Sequence, residues 1–195
     1  MFIFHELKLI YVIVPGTGSN SFHGPMKQKW ECETVLRPKP GHDVWKLQPK
    51  IKLYNHFTAE QWRMLIDPEI WDSYTKIGFV RHPYMWARSM YRKGSGGVLG
   101  AVGIDSSGSF EEYLEALELT PYSWFVDSKG VNLMDRIYRT EDLSAIGIEY
   151  DIKIKHMNKT NSDREAEKSE EVERLLKQKF YREYRHYPKG DIYGL

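Results

Sequence analysis

The stretch "IYVIVPGTGSNSF", residues 10–22, decides how the first part of this chain folds. Its apolar, β-branched run predicts a buried strand, and the proline and glycines that follow it predict a loop. Backbone N–H groups in such a loop can face an anion. Loops that hold a reactive phosphate normally add a lysine, yet the residue after Pro15 is Gly16. The sequence therefore predicts an anion-binding loop without its usual cation.

Bulk composition limits the classes of function. The chain has 195 residues, enough for one well-buried domain spanning 1–195. With 28 basic and 27 acidic residues the net charge is +1, so we expect neither a nucleic-acid partner nor a membrane partner. The single cysteine, Cys32, excludes an intramolecular disulfide and a cysteine-rich zinc site. No apolar run reaches membrane-spanning length, which favours a soluble, cytoplasmic protein or a chain trimmed of its anchor.

Apolar runs alternate with helical periods along the chain. Residues 7–14 and 77–80 are short apolar runs that predict strands, and the stretch "VNLMDRIYR", residues 131–139, predicts a third strand. Strand, loop and helix repeated with right-handed crossovers make a parallel sheet, which binds ligands at the carboxyl ends of its strands. The sequence predicts a single α/β domain with a central parallel β-sheet flanked by helices.

Helix boundaries are marked by local signals. Thr58 and Gln61 have capping-box spacing, and their helix should bend or end near Pro68. Another helix should begin at Pro83 and stop at Gly94.

Two more helices and one loop follow. Ser109 with Glu112, and Ser162 with Glu165, predict two further helix starts. Residues 94–109 carry six glycines and predict a mobile loop, either a lid or a plain connection. The last helix should bury Val172, Leu175, Leu176 and Phe180.

The residues that follow two of the predicted strands have the donors that an anion-binding site needs. In the first, Thr17, Ser19 and Ser21 add hydroxyl donors to the glycine loop. In the second, Arg81 leaves the sheet directly before a helix, and Ser89 lies two turns along that helix. Arginine bonds two phosphate oxygens together. Each signal alone could be a plain turn or a surface ion pair, but two in one sheet can straddle one ligand.

The order of motifs resembles the sulfotransferases that use 3'-phosphoadenosine 5'-phosphosulfate, in particular their carbohydrate and Golgi-type branch. The similar segments are "PGTGSNS", "NHFTAEQ", "GFVRHP" running to "RSMY", "RIYRTEDL" and "KHMNKT". The resemblance implies a P-loop-NTPase-like sulfotransferase fold. It implies transfer of a sulfuryl group to a hydroxyl or amine of a small-molecule or carbohydrate acceptor. The nucleotide is the donor, adenosine 3',5'-bisphosphate the product, and no metal is needed.

The same resemblance assigns roles to residues. Arg81 and Ser89 would bind the 3'-phosphate, and Asn158 and Lys159 could touch the nucleotide. The loop around the 5'-phosphosulfate would comprise Pro15, Gly16, Thr17, Gly18, Ser19, Asn20 and Ser21.

Two positions depart from the family pattern. Gly16 replaces a lysine, and Trp86 replaces an arginine. Losing a preorganised charge costs roughly 2.7–4 kcal/mol of barrier, unless Lys50, Lys52 or Lys159 reaches the same oxygen. Gly16→Lys should then raise the transfer rate, unless the glycine is needed for a backbone conformation with positive φ.

The acceptor proton needs a base, and His56 is the first candidate because its titration range suits the task. The alternative is a histidine hydrogen-bonded to backbone. His156 more simply orders its own segment. Glu141 and Asp142 form a further carboxylate pair, of a kind common at helix starts.

Two other functions remain open at this point. One is a protein that binds the same nucleotides but has lost turnover with the loop lysine. The other is a divergent P-loop kinase, although the missing Walker lysine and serine count against it.

Overall fold

The computed structural model describes residues 1–35, 37–47, 51, 54–94, 107–154, 166 and 168–193. The strands are β1 (Phe2–Phe4), β2 (Leu9–Tyr11), β3 (Thr75–Val80) and β4 (Arg136–Arg139). The first helices are α1 (Ser19–Lys29), α2 (Val44–Leu47), α3 (Ala59–Arg63) and α4 (Pro68–Ser73). The later helices are α5 (Pro83–Lys93), α6 (Phe110–Ala116), α7 (Leu143–Glu149) and α8 (Glu170–Lys179).

The strands form one sheet in the order β1-β2-β3-β4. The β2, β3 and β4 strands run parallel, with Leu9 opposite Thr75 and Ile77 opposite Arg136. The β1 strand pairs antiparallel with β2, so the sheet is mixed rather than wholly parallel. The α/β class and the parallel core are confirmed, and the added edge strand is a correction to the all-parallel prediction.

The edge strand β1 forms a hairpin with β2 that the apolar pattern of the sequence did not predict. The backbone N–H of Lys8 donates to the carbonyl of His5 at 3.1 Å, and Lys8 has a φ of 46°. This turn uses the start of the 7–14 run, so β2 begins only at Leu9. Residues 12–14 continue beyond the assigned strand, and Val12 still donates to the Ile77 carbonyl at 3.0 Å.

Both faces of the sheet are buried. On β2 and its extension, side chains alternate between two hydrophobic clusters, as the two-residue period of a strand requires. Trp62, Trp86 and Leu176 join the cluster on one face, contributed by α3, α5 and α8. Phe22 of α1 and Ile146 of α7 join the other. The molecule therefore has helix, sheet and helix layers.

Most predicted helix signals are confirmed. The Gln61 amide donates to the Thr58 hydroxyl at 3.2 Å, and the Thr58 amide donates to the Gln61 side chain at 2.9 Å. The helix ends before Pro68, which starts α4. The predicted helix from Pro83 to the Gly94 stop is α5.

The Ser109/Glu112 capping box starts α6 as expected. The final helix begins later than predicted, because Ser169 caps it at Glu170, whereas Ser162 and Glu165 lie outside the described residues. The predicted buried residues of this helix, Val172, Leu175, Leu176 and Phe180, are buried.

Several sequence predictions fall outside the described residues. They concern the core of the glycine loop (95–106), the possible replacement cations Lys50 and Lys52, and the segment holding His156, Asn158 and Lys159. Within the described ranges, no helix has both the length and the apolar composition to cross a membrane.

Candidate functional site

The glycine loop joins β2 to α1 with an unusual backbone. Gly16 and Gly18 have φ values of 79° and 70°, in the left-handed region that glycine adopts without strain. In the described part of the chain, the backbone N–H groups of residues 16–18 donate to no backbone oxygen. Ser19 and Asn20 are the first two residues of α1, where an α-helix leaves the N–H groups without an internal partner. Ser21 is the first residue whose N–H is paired, with the Gly18 carbonyl at 2.9 Å. Successive unpaired N–H groups at a helix start form a concave anion-binding surface.

The hydroxyls of Thr17 and Ser19, which the sequence predicted as donors to an anion, bind the protein's own backbone. The Thr17 hydroxyl donates to the Val14 carbonyl at 2.9 Å, and the Ser19 hydroxyl donates to the same carbonyl at 3.1 Å. Thr17 is fully buried. These hydroxyls fold the loop back onto the strand end, so its open donors are backbone N–H groups. Asn20 is exposed at the first turn of α1, whereas Ser21 is buried.

Neighbouring strand ends hold the loop in place. The Thr140 hydroxyl lies 2.9 Å from the Thr17 carbonyl oxygen and 3.0 Å from that of Val80. On the other side, the Trp86 indole N–H donates to the Pro15 carbonyl at 2.7 Å. The loop is therefore tied to the carboxyl ends of β3 and β4, where parallel sheets bind ligands.

Gly16 and Trp86, the two positions that depart from the sulfotransferase pattern, are in contact. A Cβ built on Gly16 would lie 2.8 Å from the Met90 sulfur and 3.0 Å from Nε1 of Trp86. Trp86 and Met90 are fully buried. A lysine at position 16 would have to adopt a positive φ, and its Cβ would be too close to Trp86 and Met90. We therefore expect that only glycine fits this position without strain.

Arg81 directly follows β3, at the same carboxyl edge of the parallel strands as the loop after β2. Burial lowers the pKa of its guanidinium, Glu141 opposes this shift, and Arg88 adds to it. Among the described residues Arg81 makes no hydrogen bond, although the Glu141 carboxylate interacts with it electrostatically. That carboxylate accepts from the His82 amide at 3.0 Å and from the Tyr187 hydroxyl at 2.8 Å.

Arg88 is a site residue that the sequence analysis missed. It lies on α5 directly before the buried Ser89, and its charge is close enough to lower the pKa of Arg81. In the described ranges Arg88 also forms no ion pair or hydrogen bond. Spacing along the chain gave no signal for this neighbourhood, because Arg81 precedes the His82 cap of α5 whereas Arg88 lies within the helix. Two half-buried, unpaired cations favour a multiply charged anion.

The pair Glu141 and Asp142 is structural. Glu141 ties the start of α5 to Tyr187, as its hydrogen bonds show. Asp142 accepts two hydrogen bonds from Arg139, at 2.6 and 2.7 Å. His82 packs against the Tyr187 ring with centroids 4.9 Å apart, and its Nε2 lies 3.1 Å from the Asp191 carbonyl oxygen. The C-terminal segment therefore covers this edge of the sheet.

His56 lies near the loop but is poorly suited to act as a base. It closes a 3₁₀ turn (Tyr54–His56), and its carbonyl accepts the Trp124 indole N–H at 2.6 Å. Burial lowers the pKa of His56 to about 4, and its ring interacts with the backbone of Ile13. Its Nδ1 has no partner in the described residues. A base with so low a pKa takes up a proton weakly at neutral pH.

The depressed pKa predicts a pH-dependent stability. An unfolded histidine has a pKa of 6.5, so as pH falls the unfolded chain takes up the proton first and stability is lost. Between pH 7 and pH 5 this loss should be roughly 2 kcal/mol. The His56→Gln variant should lack that part of the pH dependence, as measured by urea unfolding at both pH values. Parallel pH curves for the two proteins would contradict burial of a neutral His56.

Comparison with family models, with curated proteins and with solved structures finds no significant match to this chain. The described residues define an α/β protein with a mixed sheet. At the carboxyl edge of its parallel strands lie a loop with unpaired backbone N–H groups and two arginines that make no hydrogen bond among the described residues.

Proposed function

We propose that this protein is a sulfotransferase that binds 3'-phosphoadenosine 5'-phosphosulfate and transfers its sulfuryl group to a hydroxyl or amine of a small-molecule or carbohydrate acceptor. The observation that carries the proposal is the run of unpaired N–H groups at residues 16–20, at the start of the eleven-residue helix α1. Such a surface suits the 5'-phosphosulfate, because the amides and the helix dipole both favour negative charge.

The second half of the nucleotide would meet Arg81 and Arg88. A 3'-phosphate carries up to two negative charges and offers several acceptor oxygens, which matches two guanidinium groups that make no hydrogen bond among the described residues. Thr140 joins the loop to the end of β3, so the two anion-binding surfaces belong to one edge. Sulfuryl transfer, like phosphoryl transfer, depends mainly on positioning and charge stabilisation.

A second candidate function is binding of the same nucleotides without turnover. Two observations favour it: the tight packing of Gly16 against Trp86, and the low pKa of His56. Binding uses interactions that are equal in ground and transition states, whereas the missing lysine would act on the leaving oxygen in the transition state. Nucleotide binding and chemistry are therefore separable by experiment.

Calorimetric titration tests the nucleotide part of the proposal. We expect adenosine 3',5'-bisphosphate to bind more tightly than ATP and than adenosine 5'-monophosphate, because only it reaches both anion surfaces. A sulfate-transfer and donor-hydrolysis assay with the phosphosulfate then separates the enzyme from the binding protein. Tighter binding of ATP would favour the kinase-like alternative, and no binding of any of the three nucleotides would refute the proposal.

A further inference from the structure

One face of α5 lies against the backbone of Gly16. A Cβ built on Gly16 would lie 2.8 Å from the Met90 sulfur and 3.0 Å from Nε1 of Trp86, so a side chain at this position would point toward that face. Trp86 and Met90 are four residues apart on α5, the spacing of neighbours on one helix face. A cation on this face of α5 would therefore approach the space that a lysine in the loop would otherwise use.

Lys93 continues the same face as the last residue of α5. It follows Met90 by three residues and Trp86 by seven, and side chains at these spacings lie on one side of an α-helix. Helical side chains lean toward the N-terminus of their helix, so we expect Lys93 to extend over the turn that holds Ser89 and Met90. A lysine stem is long and flexible. Its ammonium group can therefore approach the glycine loop from the helix.

The electrostatics place the charge of Lys93 near the arginines of the site. Lys93 is exposed, so a ligand can reach it. Burial of its ammonium group among the surrounding atoms and the positive charge of Arg81 both lower its pKa from the ordinary value of 10.5. Arg88 in turn lowers the pKa of Arg81. An anion bound among three cations removes their mutual repulsion, so this cluster favours a ligand with more than one negative group.

Lys93 has no competing partner in the part of the chain that the structure describes. It forms no hydrogen bond and no ion pair there. The other basic residues in the last turns of helices differ in this respect. Lys29 of α1 pairs with Asp151, and Lys177 of α8 pairs with Glu173.

We propose that Lys93 takes the place of the absent loop lysine, donating a hydrogen bond to the oxygen that joins the 5'-phosphate to the sulfuryl group. This inference rests on the proposed sulfotransferase function. In the transfer step the bond from sulfur to this oxygen breaks, and a bond from sulfur to the acceptor oxygen or nitrogen forms. The electron pair of the broken bond stays on the 5'-phosphate, where the ammonium charge stabilises it, and the acceptor proton passes to water.

Steady-state kinetics with the phosphosulfate test this role. Lys93→Met removes the charge but keeps a stem of similar shape, and it should lower kcat for sulfate transfer and donor hydrolysis by roughly 100- to 1000-fold. Its affinity for adenosine 3',5'-bisphosphate should change by less than about threefold, because the lost interaction strengthens mainly in the transition state. Lys93→Arg keeps the charge and should recover a large part of kcat.

Lys27→Met is the matched control. Lys27 and Lys93 both lie in the last turn of an eleven-residue helix, but Lys27 is at the end of α1 that points away from the glycine loop. Lys27 is exposed, as Lys93 is. This variant should keep the wild-type kcat and the wild-type nucleotide affinity. Circular dichroism melting curves show whether each variant is folded.

Trace acetylation of the wild-type protein gives a second measurement that needs no turnover. Acetic anhydride transfers an acetyl group to a neutral lysine amine and releases acetate and a proton. A lysine covered by a ligand reacts more slowly. Saturating adenosine 3',5'-bisphosphate should slow acetylation of Lys93 several-fold and leave Lys27 unchanged, as measured by mass spectrometry of the digested protein.

The outcomes separate this inference from the proposed function. No nucleotide binding by the wild-type protein would refute both. Nucleotide binding without protection of Lys93, or without any turnover, would overturn the role of Lys93 and leave the nucleotide site standing. A folded Lys93→Met protein with the wild-type kcat would do the same. Weakening of the bisphosphate but not of adenosine 5'-monophosphate by Lys93→Met would place Lys93 at the 3'-phosphate, against the proposal.

Discussion

Arg81→Ala should weaken adenosine 3',5'-bisphosphate by roughly 10- to 150-fold, the range expected when hydrogen bonds to a charged group are lost. Adenosine 5'-monophosphate should lose much less, because it lacks the phosphate that Arg81 would bind. The physical reason is that Arg81 is half-buried and makes no hydrogen bond in the described structure, so its N–H donors are available to the ligand. Calorimetric titration of both nucleotides measures the difference.

Three further variants sharpen this test. Arg88→Ala should show the same selectivity for the bisphosphate, and Ser89→Ala should show it with a smaller loss, since a neutral donor is weaker than a charged one. Arg63→Ala removes an exposed arginine at the end of α3 and should leave both affinities unchanged. Equal weakening of the two nucleotides by Arg81→Ala would remove Arg81 from the 3'-phosphate site.

The second large effect is expected at Gly16. Gly16→Lys should reduce the free energy of unfolding by about 2–5 kcal/mol, the sum of left-handed backbone strain and overpacking of a full core. Natural domains have only about 5–15 kcal/mol of stability, so the variant should be close to unfolding. Urea unfolding of the variant and the wild-type protein measures the change.

Gly41 provides the matched control for this substitution. Its φ is 87°, close to that of Gly16, but a Cβ there would meet nothing within 4 Å. Gly41→Lys should therefore show the backbone strain alone, about 1–2 kcal/mol. If both variants lose the same stability, the contact of Gly16 with Trp86 and Met90 has no energetic weight, and the missing lysine needs another explanation.

The sequence by itself determined the local features of this protein. The capping pair of Thr58 and Gln61 and the helix start at Pro83 depend on hydrogen bonds and dihedral angles within four residues, so short-range spacing is sufficient to predict them. The buried core of the sheet follows from the apolar runs for the same reason. The places of Arg81 and the glycine loop at strand ends were also predicted, because parallel strands present their carboxyl ends at one edge.

Only the tertiary structure decided how the site residues are used. The Thr17 and Ser19 hydroxyls bind the Val14 carbonyl rather than facing outward, and Trp86 fills the space beside Gly16. Sequence spacing gives which residues lie on one element, whereas burial, pairing and steric contact are set by side chains brought together from residues tens of positions apart.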